Sequence, residues 1–318
     1  MINGLHHIAL VVEDIDAAKR YYCGTSGMRC LPDAITAMMT PPDSAVWGGK
    51  GGATCGHDLL AGPNAFVELL SPQRVASQPE PCANPIHRPG IRHFCVQNHD
   101  CAMLEQAVTR HGGSLIAPPL DLGTGNQYAY ARDPEGNIME IEGLPYAPVA
   151  EKTWLGHVAI VTRDMDAAIA FYKQLFASDL RSRGRFGPGP QFDKMGGLVD
   201  ARIEGAWLSV GNMLLELWQF HTPAYPAGEI PRTLLDPGYS HICLETSDLD
   251  ADAQRLVALG GALTSQIAEN EHVRSVFARD PEGNAIELLE LRLSNGPHSI
   301  AALEKPDICA RIDGGRCA

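Results

Sequence analysis

The chain has 318 residues, and its 38 Asp and Glu exceed its 25 Lys and Arg to give a formal charge of -13. This acidity argues against a nucleic-acid partner, because phosphate neutralisation needs clustered Lys and Arg. No apolar run approaches the roughly 20 residues that cross a bilayer, and the first predicted strand starts too close to Met1 for a signal segment. Nine cysteines without a CxxC pair indicate neither a disulfide framework nor a thiolate zinc site. We therefore expect a cytoplasmic protein with no membrane partner, whose thiols are buried as small apolar groups.

The first predicted strand contains His7-Ile8-Ala9-Leu10, and this pattern of a histidine before apolar residues returns three times along the chain. Each copy is followed 46 to 61 residues later by a strand that carries a glutamate. The four histidines are His7, His93, His157 and His241, and the four glutamates are Glu68, Glu140, Glu216 and Glu287. Imidazole and carboxylate together suit divalent transition metals, so the repeated pairing indicates metal sites.

After the first strand of each unit, an Asp-led segment predicts a helix. In the third unit it spans residues 164–176, with apolar residues at helical spacing and acidic residues at the start. Three shorter strand signals follow in each unit. In the second and fourth units the last two strands are joined by Asp-Pro-Glu-Gly, at 133–136 and 280–283, which we interpret as a structural turn. The predicted unit is β-α-β-β-β, four times over.

The two halves of the chain are duplicates. His7 matches His157 at an offset of 150, His93 matches His241 at 148, and Glu140 matches Glu287 at 147. The repeat predicts a first domain at residues 1–145, a linker at 146–154, a second domain at 155–293 and a C-terminal tail at 294–318. The fold class is α+β. The sequence leaves open whether modules pair within each half or across the halves, first with fourth and second with third.

Alternation along a strand predicts which side chains share a face. His7 is expected to lie with Ala9 and Val11, and His6 on the opposite face. Glu68 falls among apolar neighbours, where a carboxylate is costly to bury unless it is paired or binds a cation. A metal at each cluster would remove that cost.

These features resemble the vicinal oxygen chelate superfamily, which includes glyoxalase I, methylmalonyl-CoA epimerase, extradiol dioxygenases and bleomycin-resistance proteins. The resemblance covers about residues 5 to 292. It implies that modules pair into two U-shaped mixed β-sheet clefts, with a metal held by the first and last strand of each module. It assigns as ligands His7, Glu68, His93, Glu140, His157, Glu216, His241 and Glu287.

The complete His, Glu, His, Glu set resembles that of bacterial glyoxalase I. It implies an isomerase, epimerase or lyase that acts on a small hydroxycarbonyl or dicarbonyl compound through a metal-bound enediolate. Glu140 and Glu287 match the family position that moves the substrate proton. The ion is Ni, Co, Zn, Mn or Fe(II), with one or two per chain. The expected partner is a small-molecule substrate, and the protein is expected to be a monomer or homodimer.

Two alternatives remain open. An extradiol ring-cleavage dioxygenase would use Fe(II) with two His and one Glu. Its motif pairs a Tyr with an upstream His, but here Tyr130 lies in the first half, and His272 in the second half is followed by Phe277. The other alternative is a metal-free binding or resistance protein. Tyr130 itself is either a site acid near Glu140 or a packing residue.

Overall fold

The computed structural model describes residues 1–33, 55–72, 85–146, 153–226, 233–294 and 296–303. The first half contains β1 (Ile2–Val11), α1 (Ile15–Ser26), β2 (Arg29–Cys30), β3 (Cys55–Ala61) and β4 (Phe66–Pro72). It continues with β5 (Gly90–Asn98), α2 (Cys101–Arg110), β6 (Ser114–Leu115), β7 (Leu120–Asp121), β8 (Gln127–Arg132) and β9 (Ile138–Gly143). The loop at 33–58 diverges between the halves and is therefore predicted to form a pocket wall, but most of it lies outside the described residues.

The second half repeats this order. Its third module contains β10 (Trp154–Val161), α3 (Met165–Phe176), β11 (Leu180–Phe186), α4 (Pro190–Gly196), β12 (Arg202–Val210) and β13 (Met213–Thr222). Its fourth contains β14 (Gly238–Thr246), α5 (Leu249–Ala258), β15 (Ala262–Leu263), β16 (Ala268–Glu269), β17 (Val273–Arg279) and β18 (Ala285–Leu291). A 3-10 turn at Ile300–Ala302 ends the described chain. The α+β class and the duplicated modules are confirmed.

Each module's principal helix begins at an aspartate that was visible in the sequence. The side chains of Asp14, Asp100, Asp164 and Asp248 accept hydrogen bonds from backbone N–H groups in the first helical turn. Such caps satisfy amide groups that have no partner within the helix. The four helices pack on one face of the sheets, against a shared apolar core. None of the described helices is long and apolar enough to cross a membrane.

The modules pair across the halves of the chain. The first sheet, sheet A, has the order β15-β17-β18-β14-β1-β4-β3-β2 and joins the first module to the fourth. The second, sheet B, has the order β11-β12-β13-β10-β5-β9-β8-β6 and joins the third module to the second. The central pairs, β1 with β14 and β10 with β5, are antiparallel. Each of the two sheets is therefore built from strands of both halves of the chain.

A bulge in β1 contradicts the predicted direction of His6. Leu5 pairs with Leu244 and His7 pairs with Cys243, so one extra residue lies in β1 at this point. An extra residue breaks the alternation of side chains. As a result His6 and His7 lie together, with their Nδ1 atoms 2.9 Å apart, and the His6 ring stacks on Phe66.

The equivalent bulge occurs in β10, where Gly156 is the counterpart of His6. A Cβ at Gly156 would lie 2.3 Å from Cδ of Gln97, so this position tolerates only glycine while Gln97 keeps its place. Each bulge is fastened by an asparagine from the other sheet. Asn212 bonds the backbone N–H and carbonyl of Leu5, and Asn64 does the same for Leu155.

The Asp-Pro-Glu-Gly turns hold the two modules of each half together. The carboxylate of Glu135 accepts from the backbone N–H of Glu13 and of Asp14, at the start of α1. Tyr22 on α1 donates to Asp133 at 2.8 Å. In the second half Glu282 and Asp280 make the equivalent bonds to the start of α3 and to Tyr172. The structural interpretation of the turns is confirmed.

Most of the described cysteines are shielded from solvent, as expected for small apolar groups. Cys95, Cys101 and Cys243 are buried, and Cys23 and Cys55 are half-buried. The expectation is wrong for Cys30, which lies exposed on the short strand β2. All six are free thiols.

We predict that Glu135→Ala lowers the free energy of unfolding by about 1 to 2 kcal/mol, because hydrogen bonds to a charged acceptor are lost from two backbone amides at the helix start. Urea denaturation monitored by circular dichroism measures this change. Glu282→Ala should have a similar effect. Glu271→Ala is the control, since its side chain is 85% exposed. Equal stability of Glu135→Ala and the control would contradict the proposed role of the turn.

Candidate metal centres

Sheet B gathers two histidines and two glutamates at its centre. Nε2 of His93 lies 3.1 Å from Oε2 of Glu140 and 3.4 Å from Oε2 of Glu216. Nε2 of His157 lies 2.9 Å and 3.2 Å from the same two oxygens. All four ligand atoms fall within 4.8 Å of one another.

Sheet A gathers the other four predicted residues in a looser group. Nε2 of His7 and Nε2 of His241 are 3.2 Å apart. His7, His241 and Glu287 lie within 4.8 Å of one another. Oε2 of Glu68 lies 3.5 Å from His7 and 3.4 Å from His241. The structure thus brings all eight predicted ligands into two clusters, each with one His and one Glu from two modules.

The strand registers explain why these side chains meet. In sheet B, β10 runs parallel to β13 with Ala159 beside Glu216, two residues after His157. The antiparallel partner β5 places His93 beside the same alanine. Because residues two apart on a strand share a face, the clustered side chains project from one face of the sheet. We call this face, which carries a cluster in each sheet, the site face.

The sheet B cluster is an ion-pair network in the protein interior. Burial alone would lower the pKa of His157, but the carboxylates of Glu216 and Glu140 hold it well above its ordinary value. Burial alone would raise the pKa of Glu216, yet His157 and His93 hold it far below its ordinary value. The pKa of Glu140 is lowered in the same way, against the opposing effect of burial. The cluster therefore favours ionised carboxylates.

Both clusters have the chemistry of a cation site. All eight residues are at most 6% exposed. Among the described residues, Nε2 of His93 and Oε2 of Glu68 and Glu216 are buried without a hydrogen bond. Ligands at roughly 2.0–2.2 Å from one ion are about 3 to 3.5 Å from each other. The separations between imidazole nitrogens and carboxylate oxygens, 2.9 to 3.6 Å, match that spacing. These residues can hold a divalent metal.

One glutamate in each cluster is anchored through its outer oxygen. Nε1 of Trp207 on β12 donates to Oε1 of Glu216 at 2.8 Å. In sheet A, Nε2 of His57 on β3 lies 2.6 Å from Oε1 of Glu68. Sequence analysis missed both residues, because they are not equivalent in the repeat. The position that matches His57 is Gly205, and a Cβ there would lie 2.9 Å from the Trp207 ring.

Hydrogen bonds behind the sheet A histidines determine which ring nitrogen faces the cluster. Ser240 donates its hydroxyl to the carbonyl of Leu234 at 2.7 Å, so its oxygen accepts from Nδ1–H of His241 at 3.0 Å. His6 has a pKa of about 3, lowered mainly by burial and also by His7, and its ring is neutral. With Nδ1–H of each ligand histidine directed backwards, Nε2 is the nitrogen available to a cation.

Tyr130 packs beside the sheet B cluster. Its ring lies edge-on to His93 with centroids 5.2 Å apart, and it joins an apolar cluster with Ile138 and Met195 of α4. Burial and the carboxylate of Glu140 raise its pKa well above the ordinary value. Phe277 occupies the equivalent place beside His241, at 5.0 Å. The packing role of Tyr130 is thus observed, and its role as a site acid stays a prediction.

The sequence leaves two further features open: Arg132 and Arg279 either steer an anionic substrate or are solvated strand ends, and the loop at 186–192 either covers the second cleft or is passive. Arg132 donates to the carbonyl of Gly136 at 3.0 Å and so closes its own turn, as Arg279 does with Gly283. The chain after β11 forms α4, whose Met195 packs against the module 2 residues around Tyr130. A segment of module 3 therefore lies over part of module 2, in the region of the sheet B cluster.

Comparisons with known proteins agree with this architecture. The family described as "Glyoxalase/Bleomycin resistance protein/Dioxygenase superfamily" matches residues 4–141 and 154–288. Glyoxalase I from Zea mays superposes with a TM-score of 0.64 at 20% identity, over 90% of this chain and 92% of that chain. A putative dioxygenase from Bacillus subtilis superposes with a TM-score of 0.59 at 13% identity, over 99% and 96%. These superpositions show a common fold. No curated protein matches the sequence.

We predict a pH-dependent stability of the metal-free protein that originates in the sheet B ion pairs. The raised pKa of His157 stabilises the fold below pH 6.5, and this contribution is lost as pH rises through the raised value. The lowered pKa of Glu216 stabilises it above pH 4.5, and this is lost as pH falls through the lowered value. The contribution is therefore complete between these two pH values.

Urea denaturation with a chelator, at pH values from 6 to 10, measures the decline. His157→Gln is the matched variant, since the difference between the two proteins isolates this group from other titrations. Added Zn(II) should flatten the wild-type profile, because a bound cation replaces the proton as the partner of the carboxylates. Parallel profiles for wild type and His157→Gln without metal would contradict the assignment.

Proposed function

Since the chain belongs to the Glyoxalase/Bleomycin resistance protein/Dioxygenase superfamily, we propose that it is a divalent-metal-dependent isomerase, epimerase or lyase. Its substrate is a small hydroxycarbonyl or dicarbonyl compound. The observation that carries the proposal is the buried set of two histidines and two glutamates, present in both sheets. A binding protein of the same fold has no need for two buried carboxylates at each centre, because burying them is costly without a cation.

The proposed ligands are His93, Glu140, His157 and Glu216 in sheet B, and His7, Glu68, His241 and Glu287 in sheet A. A divalent ion held there would act as a Lewis acid and make negative charge on the substrate oxygens less costly. Ni, Co, Zn, Mn and Fe(II) all accept such ligands, and the chain would hold one or two ions. The nature of the donor atoms does not select among these metals.

Glu140 and Glu287 are the proposed proton-transfer groups. Trp207 anchors Glu216 and His57 contacts Glu68, both through the outer oxygen. Glu140, like Glu216, meets both histidines of its cluster through Oε2, but among the described residues no donor equivalent to Trp207 holds its outer oxygen. A carboxylate that is ionised at neutral pH and less restrained can take the proton from a substrate carbon and return it to the neighbouring one. This division of roles supports the assignment made from the sequence.

A second candidate function is supported by one feature of sheet A. The compact group there is His7, His241 and Glu287, while the outer oxygen of Glu68 lies against His57. Two histidines and one carboxylate with open positions suit Fe(II) in ring-cleaving oxygenases. The alternative is therefore an extradiol dioxygenase whose site is in sheet A. The remaining alternative is a metal-free binding protein. In each case the partner is a small molecule, and the protein is a monomer or homodimer.

We predict that the purified protein retains one to two divalent ions per chain after incubation with Ni, Co, Zn, Mn or Fe(II). Elemental analysis after desalting measures the number. Each preparation is then incubated with α-hydroxyketones and α-dicarbonyls in D₂O, and loss of the C–H signal is followed by NMR, with and without oxygen. Exchange at equal rates in both supports the isomerase. Retention of no metal leaves a binding protein, and oxygen uptake with a catechol favours the dioxygenase.

We further predict that Glu140→Gln and Glu287→Gln each remove proton exchange at one centre. Glutamine keeps the shape of the side chain but is no base at neutral pH. If both centres act on one substrate, each single variant should keep a substantial part of the rate and the double variant should lose it. Loss of all exchange in one single variant assigns the reaction to that sheet. Full exchange in the double variant would contradict the assignment of the base.

A further inference from the structure

The residue in the β1 bulge distinguishes sheet A from sheet B. His6 is fully buried, and its ring is stacked on Phe66 with centroids 4.7 Å apart. Its counterpart Gly156 has no side chain, and the space is filled by Gln97, which accepts from Trp154 and donates to Glu142. Only sheet A therefore places a second imidazole directly behind a proposed ligand.

Hydrogen bonding around His6 has a fixed direction. Nε2 of His6 lies 2.8 Å from the backbone carbonyl of His298, and a carbonyl only accepts, so Nε2 carries the proton. In a neutral ring Nδ1 is then an acceptor. It lies 2.9 Å from Nδ1 of His7, which must donate. The proton on Nδ1 of His7 is held in this way, and Nε2 of His7 faces His241 and the carboxylates.

The backbone carbonyl that accepts from His6 belongs to the C-terminal segment, residues 296–303, which is itself hydrogen-bonded to sheet A. The hydroxyl of Ser299 and the backbone N–H of Ile300 both bond the carboxylate of Glu245, at 2.8 Å and 3.0 Å. Ile300 packs in the apolar cluster that contains Phe66. At the position of Glu245, sheet B has Gln97, which serves the glycine bulge instead. The segment and His6 thus form one unit behind the sheet A centre.

We propose that His6 is a positioning residue for the sheet A metal centre, acting through His7, and that the C-terminal segment fixes its tautomer. This proposal rests on the proposed function in assigning a metal to sheet A, whereas the hydrogen-bond chain is testable without one. Partners behind metal-binding histidines typically change metal affinity by roughly 10- to 100-fold. Within the part of the chain that the structure describes, sheet B has no equivalent of this unit, so the effect should be confined to one of the two centres.

Three variants separate hydrogen bonding from packing. His6→Phe keeps an aromatic ring on Phe66 but has no acceptor for His7. His6→Asn places an amide oxygen near the former Nδ1 position and restores the acceptor. A chain ending at Ser294 keeps His6 but removes the carbonyl of His298. Each is made in a His93→Ala, His157→Ala background, where only the sheet A cluster keeps its histidines, and circular dichroism confirms folding. The dissociation constant for Co(II) is measured by competition with a chromogenic chelator.

We expect His6→Phe to weaken Co(II) binding roughly 10- to 100-fold, with His6→Asn recovering most of the loss and the shortened chain lying between them. The matched control is His6→Phe in a His7→Ala, His241→Ala background, where only the sheet B cluster keeps its histidines and binding should be unchanged. Unchanged affinity in His6→Phe would overturn the proposal. Equal losses in His6→Phe and His6→Asn would also overturn it, since they would show a packing effect.

A second measurement is independent of metal. In the ¹⁵N-labelled metal-free protein, an N–H···N bond between His7 and His6 produces a scalar coupling between their two Nδ1 nuclei, with the proton on His7. We expect this coupling in wild type and its loss in the chain ending at Ser294. A proton found on Nδ1 of His6 would overturn the proposal. If Co(II) binds neither background, the proposed function fails, while this coupling still decides whether His6 orients His7.

Discussion

The cost of burying carboxylates governs the centre of each sheet. Two glutamates lie within a few ångströms of each other in an interior where unpaired charge is expensive, and imidazoles or a cation must balance them. In the metal-free protein one histidine of each cluster serves this purpose, because the neighbouring carboxylates raise the pKa of His157 in sheet B and of His7 in sheet A. A divalent ion would meet it with one charge centre for all four ligands. Strand register, bulges and anchoring donors all serve to hold these groups at a common point.

Around an unchanged ligand set, the two centres have diverged in the groups that hold it. In sheet B, Trp207 anchors a glutamate through a donor that does not titrate, and Gly156 leaves the bulge without a side chain. In sheet A, His57 takes the anchoring position and His6 fills the bulge. Sheet A therefore carries more imidazoles around its proposed metal ligands. Differences of this kind tune ligand basicity and metal affinity while the residues that bind the metal stay the same.

The architecture links the halves of the chain in two different ways. Strand pairing joins module 1 to module 4 and module 2 to module 3, whereas the Asp-Pro-Glu-Gly turns join modules within a half through Glu135 and Glu282. Asn64 and Asn212 then connect the two sheets at their bulges. Each His and Glu cluster consequently depends on residues from both halves. The duplicated sequence supplies two complete ligand sets, but neither half can assemble one by itself.

The sequence by itself determined the four modules, their Asp-capped helices and the eight histidines and glutamates that cluster at the sheet centres, because alternation, capping and repetition are local patterns that survive duplication. It could not choose the module pairing, since both arrangements satisfy the same apolar pattern and differ only in long-range strand contacts. Nor could it place His6, because a bulge is visible only against the partner strand. His57 and Trp207 were hidden for the same reason: they meet equivalent glutamates from non-equivalent positions, and only the paired strands bring them there.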